Sequence, residues 1–482
     1  MPDPVILSEA KNHNKEILRL AIPSILANLT VPLVGMVDIA VAGHLDTAAA
    51  ALIGGISVGS LMFDMMYWNF GFLRAGTGGL TAQAYGREDW ADCASNLKRG
   101  IGLALLMSLV LLLVQWPFQK LIFVFVNCSE EVRVLALRYF YIRVWAAPAT
   151  LSLMALRGWF IGMQDTFSSM LTDVVVNGVN ILASIFLALG IPGTTFEGIG
   201  YSGIAWGTII AQYTGLLFAS CILLLKYRRI VLCTLGQDRI HPRLDAAEQG
   251  LSPTASQDNT SLERLREFFT VNRDLFIRSL CLMAVYLAFT AISARFGDTY
   301  LAMCSIMMKL MMVFSYFTDG FAFAGEAMTG RFIGSKDRSS LSVAVRWTFI
   351  WSMGIGIFFI GLYAVAGIPM FRMMTSDPTV VEAAREYIPW LALIPLLGCP
   401  AFTWDGIYIG ATATRQLRDS NIGCLLAFFA VWFAGIVLMQ ALLGEIPVHS
   451  RVHLLFAAYY AHLLFRSLYQ TAKYRSAVLG KV

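Results

Sequence analysis

Length, composition and charge indicate that this chain is a membrane protein. Of its 482 residues, 57% are hydrophobic and 14% are charged, and the mean hydropathy is +0.65. An ordinary soluble domain has about 25% charged residues, so the composition excludes a soluble globular protein. Hydrophobic runs of about twenty residues, the length with which a helix crosses a bilayer, recur along the chain. They predict an all-α polytopic membrane protein, because a β-barrel would have shorter, alternating segments.

The sequence shows no sign of secretion, disulfides or catalysis. Residues 1–20 lack a short apolar core followed by a cleavage site, so no removable signal peptide is expected. The eight Cys residues are scattered without a CxxC pair and are interpreted as small apolar side chains. Two letter matches to enzyme motifs, GISVG at 55–59 and GIGYSG at 198–203, fall in membrane spans without the strands that those motifs need. The sequence therefore predicts a protein that is not an enzyme and holds no cofactor.

The chain order predicts twelve transmembrane helices. Their approximate limits are residues 16–40, 47–75, 95–117, 131–156, 167–190, 199–226, 273–297, 300–330, 344–366, 382–410, 416–441 and 450–472. Most Lys and Arg residues lie in the connections on one side, and those on the other side are Lys120, Arg133, Arg372, Arg385 and Arg451. Because positive residues concentrate on the cytoplasmic side, both termini are predicted to be cytoplasmic. The same distribution accounts for the net charge of +5, so nucleic acid is not an expected partner.

The long polar connection falls halfway along the chain. Residues 227–272 contain LSPTASQDNTS, a stretch of turn formers without a helical period, followed by SLERLREFF. They predict a cytoplasmic linker with a short surface helix. The linker separates an N-terminal six-helix lobe at 1–226 from a C-terminal six-helix lobe at 273–482.

The two halves resemble each other in sequence. AGHLDTAAAAL aligns with SARFGDTYLAM, and LRGWFIGMQDT aligns with WDGIYIGATAT, so that Gly158 meets Gly406. GFLRAGTGGLTAQAYG aligns with GFAFAGEAMTGRFIG, which pairs Thr77 with Glu326. An even number of spans separates the copies, so both run in the same direction through the membrane. This predicts two lobes related by a pseudo-twofold axis along the membrane normal, with a cavity between them.

One acid stands alone in the first span. Asp38 lies in VPLVGMVDIAVAGHL, where an unpaired charge costs at least about 2.5–3.5 kcal/mol, so we expect it to be functional unless it caps or pairs with a neighbour. In span 5, Asn177, Asn180 and Ser184 share one helical face. The pattern predicts a cation-coupling site of these four residues, with a proton at Asp38 or Na⁺ at Asp38 and Asn180. The alternative is that the polar stripe only joins helices by hydrogen bonds.

Further charged and aromatic residues fall inside the spans. They predict a substrate cavity formed by Asp64, Trp68, Lys309, Asp319, Glu326 and Asp405. Acids outnumber bases in this set, and acids with aromatic rings suit organic cations. The alternatives are a pair between Asp64 and Lys309 and a place for Asp405 near the lipid head groups.

Several strings together resemble the multidrug and toxic compound extrusion (MATE) family, in particular its DinF-like branch. They are VDIAVAGHL, YWNFGFLRAGTGGLTAQAYG, RGWFIGMQDT with the following NGVNI, DGFAFAGEAMTGRFIG and DGIYIGATATRQLRDS. The resemblance implies a V-shaped pair of six-helix lobes that alternates between outward-facing and inward-facing states. It places the coupling acid of the family at Asp38 and its site asparagine at Asn180, whereas Ser184 stands where many members have a second acid.

The sequence and the resemblance together predict secondary active multidrug efflux by H⁺- or Na⁺-coupled antiport of organic, often cationic, small molecules. The expected location is the bacterial inner membrane, as a monomer in the lipid bilayer. The alternative is a flippase for a lipid-linked or phospholipid head group. A flippase would favour an arginine-rich cavity, and the interior acids argue against one.

Overall fold

A computed structural model of the chain describes residues 4–43, 45, 49–125, 128–190, 195–230, 254–375 and 377–482. The helices have the following bounds: α1 Pro4–Gly43, α2 Ala49–Tyr67, α3 Gly71–Gly86, α4 Trp90–Phe125, α5 Glu130–Arg143, α6 Ala147–Gly162, α7 Thr166–Leu189, α8 Tyr201–Lys226, α9 Thr254–Ser293, α10 Asp298–Gly334, α11 Arg338–Met374, α12 Pro378–Gly410, α13 Thr414–Leu443 and α14 Val448–Ala477. These described segments contain no β-strand. The predicted all-α fold is confirmed.

Two of the membrane spans are interrupted by a single 3₁₀ turn. Trp68–Phe70 separates α2 from α3, and Val144–Ala146 separates α5 from α6. With each pair taken as one span, 11 of the described helical segments are long and apolar enough to cross a bilayer. The more polar helix α14, of 30 residues, corresponds to the twelfth predicted span. Large apolar side chains such as Leu113 and Val365 are 72% and 85% exposed, as expected where lipid is the solvent.

The described helices belong to two compact units. The first unit comprises Leu26–Thr270, and the second unit comprises Met1–Ile25 together with Val271–Val482. The sequence-based division placed all of 1–226 in one lobe. Residues 1–25 differ from it because the N-terminal half of α1 packs on the second unit, where Trp351 Nε1 donates a hydrogen bond to Asn14 Oδ1 at 2.6 Å.

Part of the linker predicted at 227–272 is helical. Helix α9 begins at Thr254, so SLERLREFF continues directly into the next span instead of forming a separate surface helix. Its residues are good helix formers and contain no Gly or Pro to end the helix. Within the first unit, Arg264 of α9 reaches Asp89 and Asp92 at 3.5 Å each. Residues 231–253, the rest of the linker, lie outside the described residues.

The internal repeat is visible in the packing of each unit. In the first unit Gly158 of α6 lies against the backbone carbonyl of Arg74, and in the second unit Gly406 of α12 lies against that of Ala322. Each second-unit residue follows its counterpart by 248 positions. A side chain at either glycine would collide with backbone, so the repeated sequence GxxxG is explained by close helix contact.

The turns and one small-residue contact follow the same spacing. Glu88 and Lys336, 248 positions apart, have positive φ values of 59° and 58°. Gly100 lies against Thr77 in the first unit, whereas the matching contact in the second unit has Thr348 against Gly325, with the large and small residues exchanged. At this spacing Thr77 corresponds to Gly325, so the sequence alignment that paired Thr77 with Glu326 was wrong by one residue.

Candidate functional site

The four residues predicted to form a cation site all belong to the first unit. Asp38 is 4% exposed, Asn180 is 3% exposed and Ser184 is fully buried, while Asn177 is half-buried. The carboxylate of Asp38 lies next to the Ser184 hydroxyl. Helices α1 and α7 thus bring Asp38 next to one residue of the polar stripe, Ser184.

Two amide groups hold α7 to its neighbours. Asn177 Nδ2 donates a hydrogen bond to the Thr30 hydroxyl of α1. Asn180 Nδ2 donates to the Thr208 hydroxyl of α8 at 3.1 Å. Thr30 and Thr208 were not singled out in the sequence, where a Thr within a span has no distinctive pattern. Both amides therefore donate a hydrogen bond to a hydroxyl on a neighbouring helix.

Three buried atoms of the predicted site have no hydrogen-bond partner in the part of the chain that the structure describes. They are Asp38 Oδ1, Asn180 Oδ1 and Ser184 Oγ. An unsatisfied buried polar group costs about 1–3 kcal/mol, so leaving these three atoms without a partner destabilises the protein unless a ligand binds to them. Carboxylate, amide and hydroxyl oxygens are ligands for hard cations, and they also accept a hydrogen bond from a protonated acid. The residues therefore fit either Na⁺ or H⁺.

Close contact between α7 and α8 fixes the position of Ser184. A Cβ added at Gly207 would lie 2.6 Å from the Ser184 backbone nitrogen and 2.7 Å from its hydroxyl oxygen. One turn earlier, a Cβ at Gly203 would lie 2.5 Å from the Leu187 carbonyl carbon. Only glycine allows this approach, which brings the α8 backbone against the turn of α7 that carries Ser184.

A charged residue that the sequence analysis missed lies near Asp38. Arg143 ends α5 immediately before the 3₁₀ turn, and its Nη1 donates to the Tyr139 hydroxyl at 2.8 Å. Its guanidinium carbon lies 4.7 Å from the centre of the Phe63 ring and interacts electrostatically with Asp38. The cost of a charge within a span, the argument that drew attention to Asp38, applies equally to Arg143 and would have found it.

The predicted substrate residues are distributed over both units. Asp64 and the 40% exposed Trp68 belong to the first unit. In the second unit, Lys309 is exposed, Asp319 accepts a hydrogen bond from Ser315 Oγ at 3.3 Å, and Glu326 is fully buried. The predicted cavity that would include them stays a prediction.

Asp405 differs from the other predicted substrate residues because basic groups surround it. Its Oδ1 accepts hydrogen bonds from Arg466 Nε and Gln470 Nε2, both at 3.0 Å, and its Oδ2 pairs with Arg278 and Arg466. In the first unit Asp173, which the sequence analysis left out of the site, pairs with Arg157. Both oxygens of Asp405 are therefore engaged inside the second unit.

Among the described residues, no group of three or more His, Cys, Asp or Glu side chains is arranged to hold a metal ion. The oxygens at Asp38, Asn180 and Ser184 include one carboxylate.

Comparison with known proteins identifies the family. The MatE family model matches residues 23–186 and, a second time, 275–439, once in each half of the repeat. The chain is also 32% identical over 471 residues to DNA damage-inducible protein F of Escherichia coli (strain K12), covering 98% of this chain and 94% of that protein. The chain belongs to the MatE family.

More distant MatE relatives agree with this assignment. The chain is 23% identical over 446 residues to the probable multidrug resistance protein NorM of Brucella suis biovar 1 (strain 1330), covering 90% of this chain and 87% of that protein. A crystal structure of MATE in the bent conformation matches with a TM-score of 0.78 at 16% identity, covering 99% of this chain and 98% of that one. The MatE chain is therefore a multi-pass membrane transporter with the twelve-helix, two-lobe MATE architecture, from a family of multidrug and toxic-compound efflux proteins, and it is not an enzyme.

Proposed function

We propose that this transporter exports organic, often cationic, compounds by antiport against H⁺ or Na⁺, with Asp38 as the coupling carboxylate. The observation that carries the proposal is the buried Asp38 carboxylate next to Ser184, one helical turn from Asn180, with an oxygen of each lacking a hydrogen-bond partner among the described residues. A cation bound there would satisfy all three oxygens. Without that cation, burying the three unsatisfied oxygens again costs free energy.

Alternating access gives this site its role. A bound cation shifts the equilibrium between outward-facing and inward-facing states only if it binds the two states with different affinity. Asp38 lies next to Ser184 of α7, and its own helix α1 is joined to α7 by the hydrogen bond from Asn177 to Thr30, so a movement of α1 would change the surroundings of Asp38. Binding at Asp38 is thereby linked to the position of α1.

The remaining features of the proposal concern substrate and location. The residues proposed to line the substrate cavity are Asp64, Trp68, Lys309, Asp319, Glu326 and Asp405. The name of the Brucella suis relative, a probable multidrug resistance protein, supports drug-like substrates. The concentration of Lys and Arg on one side supports cytoplasmic termini in a bacterial inner membrane, and we propose a monomer.

The test is efflux of a fluorescent organic cation from proteoliposomes containing the full-length chain. A pH gradient and a Na⁺ gradient are imposed separately on the parent and on Asp38→Asn. We expect one gradient to drive efflux in the parent and neither to drive it in the variant. A neutral amide has no negative charge with which to bind and release the coupling cation.

The matched control is Glu382→Gln, which neutralises an exposed acid that pairs with Arg385 on the same helix. Exposed pairs of this kind contribute little to stability, so its efflux should equal that of the parent. Efflux that survives Asp38→Asn would refute the assignment of Asp38. Absence of gradient-driven efflux in the parent would refute antiport and direct the assay to transfer of a lipid head group.

A further inference from the structure

His453 of α14 touches two side chains of α12 at the end of the second unit that is predicted to face away from the cytoplasm. Its Nε2 lies 2.9 Å from Glu386 Oε1, and its Nδ1 accepts a hydrogen bond from Trp390 Nε1 at 2.8 Å. An indole N–H is a donor only, so Nδ1 carries no proton in this arrangement. The proton of the neutral ring is therefore on Nε2, which donates it to the Glu386 carboxylate.

Glu386 and Trp390 lie on opposite sides of a proline within α12. Pro389 has no N–H, so the carbonyl of Arg385 has no donor in the helix, and proline is a common cause of a sharp kink. Because the His453 ring touches a residue on each side, it restricts the angle between the two parts of α12. Breaking either contact would allow α12 to bend at Pro389.

Each part of α12 also has its own contact with α14. On the outer side, Tyr387 Oη donates to the His449 carbonyl at 3.4 Å, and the Tyr387 ring centre lies 4.7 Å from that of His453. On the inner side, Tyr460 Oη donates to the Trp390 carbonyl. Both parts can therefore stay on α14 while the angle between them changes.

A second proton on His453 is incompatible with the hydrogen bond from Trp390. Histidine changes its charge between about pH 5 and 8, and this side chain is 35% exposed, so water can reach it. The added proton would be on Nδ1 and would face the indole N–H. Two donors would then oppose each other and the bond would break, whereas the contact with Glu386 would become an ion pair and persist.

Glu386 is the acid in contact with the ring, since the neighbouring Arg385 pairs instead with Glu382 at 2.7 Å. Helix α13, which packs on α14, carries no charged residue between Asp419 and its end. Other ionisable groups at this end of the unit are Tyr286 of α9, Tyr300 of α10, Tyr387 of α12, His449 and Arg451 of α14, and Glu445 of the loop before α14.

We propose that His453 is a pH-sensitive connection between the two parts of α12. Neutral His453 holds both Glu386 and Trp390 and keeps the helix at one angle. Protonated His453 keeps Glu386, releases Trp390 and lets α12 bend at Pro389, so that acid on the outer side of the membrane frees the helix. This connection goes beyond the proposed antiport and does not depend on Asp38 or on the identity of the coupling ion.

The experiment measures hydrogen exchange of α12 in the full-length protein in lipid nanodiscs between about pH 8 and 5, corrected for the intrinsic effect of pH on exchange. The amides of residues 390–393 report the bend, because their helical hydrogen bonds run back to residues 386–389. In the parent, their protection should fall about two- to tenfold on acidification, the factor expected for one lost hydrogen bond. Nitrogen NMR shifts of His453 should show the Nε2–H tautomer at high pH.

Two variants and a control separate the contacts. His453→Asn cannot take up the proton but keeps an acceptor oxygen on Cγ, where Nδ1 is attached, so its protection should stay at the high-pH value of the parent. Trp390→Phe removes the donor, so its protection should stay at the low-pH value. The matched control is His449→Asn, an exposed position whose contact with Tyr387 uses the backbone carbonyl, and it should keep the pH dependence of the parent.

Protection in the parent that does not change with pH would overturn the proposal, as would a pH step that persists in His453→Asn or disappears in His449→Asn. An Nδ1–H tautomer of His453 at high pH would overturn it too. If His453→Asn or Trp390→Phe does not fold, the parent and His449→Asn still decide. None of these readouts requires transport, so a failure of the proposed antiport is recognised separately, by efflux that survives Asp38→Asn.

Discussion

Replacing Gly207 by alanine is expected to displace Ser184 from the candidate site. The added Cβ would lie 2.6 Å from the Ser184 backbone nitrogen, 2.7 Å from its hydroxyl oxygen and 2.9 Å from its Cα. Two of these atoms are backbone, so no rotation of a side chain relieves the contact. Helix α7 or α8 must move, and Ser184 must move relative to Asp38.

The loss of stability in Gly207→Ala is estimated from the cost of overpacking and is measured against a matched control. Forcing an extra carbon into a packed interior costs about 1–3 kcal/mol. Gly178→Ala, on α7, adds the same carbon where no atom lies within 4 Å. In both variants the change from Gly to Ala favours the helix by up to about 1 kcal/mol. The difference in stability between the two variants therefore measures the cost of the collision between α7 and α8. A cost of 1.4 kcal/mol is a factor of about ten in an equilibrium constant.

The assay measures the melting temperature of each purified variant in detergent and its gradient-driven efflux in proteoliposomes. We expect Gly207→Ala to melt below Gly178→Ala and to lose efflux, while Gly178→Ala matches or exceeds the parent in stability. If the two variants melt at the same temperature and transport equally, the close α7–α8 contact does not hold Ser184 as described.

Two further predictions concern charged groups away from the coupling site. Asp405→Asn should destabilise the chain by about 3–5 kcal/mol because it leaves Arg278 and Arg466 without their anion. A variant that has the melting temperature of the parent but loses substrate binding would instead show that Asp405 serves the substrate. At the turn before α7, burial alone would raise the pKa of Asp165, but hydrogen bonds from Lys226, Ser168 and Tyr227 and the charge of Lys226 hold that pKa below its usual value. A lowered pKa contributes stability above about pH 4 that is lost on further acidification, so Asp165→Asn should lower the melting temperature at pH 7, and the gap to the parent should shrink in acid; a gap that is constant with pH would contradict this.

Local patterns in the sequence predict the spans and the α1 and α7 site. The length and hydropathy of the spans determine their number, because a bilayer sets the length of each helix. The spacing of Asn177, Asn180 and Ser184 places them on one face, and the cost of a buried charge directs attention to Asp38. These arguments depend only on residues within a turn or two of each other.

Contacts between distant residues could not be predicted in this way. Arg278 and Arg466 lie 127 and 61 residues from Asp405, and no periodicity connects them. The packing of the N-terminal half of α1 on the second unit, through Asn14 and Trp351, is equally non-local. Arg143 could have been found from its depth in span 4, but its nearness to Asp38 depends on how α1 and α5 pack.

The central claim is that the buried Asp38 carboxylate couples a cation gradient to efflux. Its most direct test is the efflux of a fluorescent organic cation from proteoliposomes under a pH gradient and, separately, a Na⁺ gradient, with Asp38→Asn beside the parent and Glu382→Gln. The account predicts efflux under one of the two gradients in the parent and in Glu382→Gln and under neither in Asp38→Asn. Equal efflux in all three proteins would contradict it.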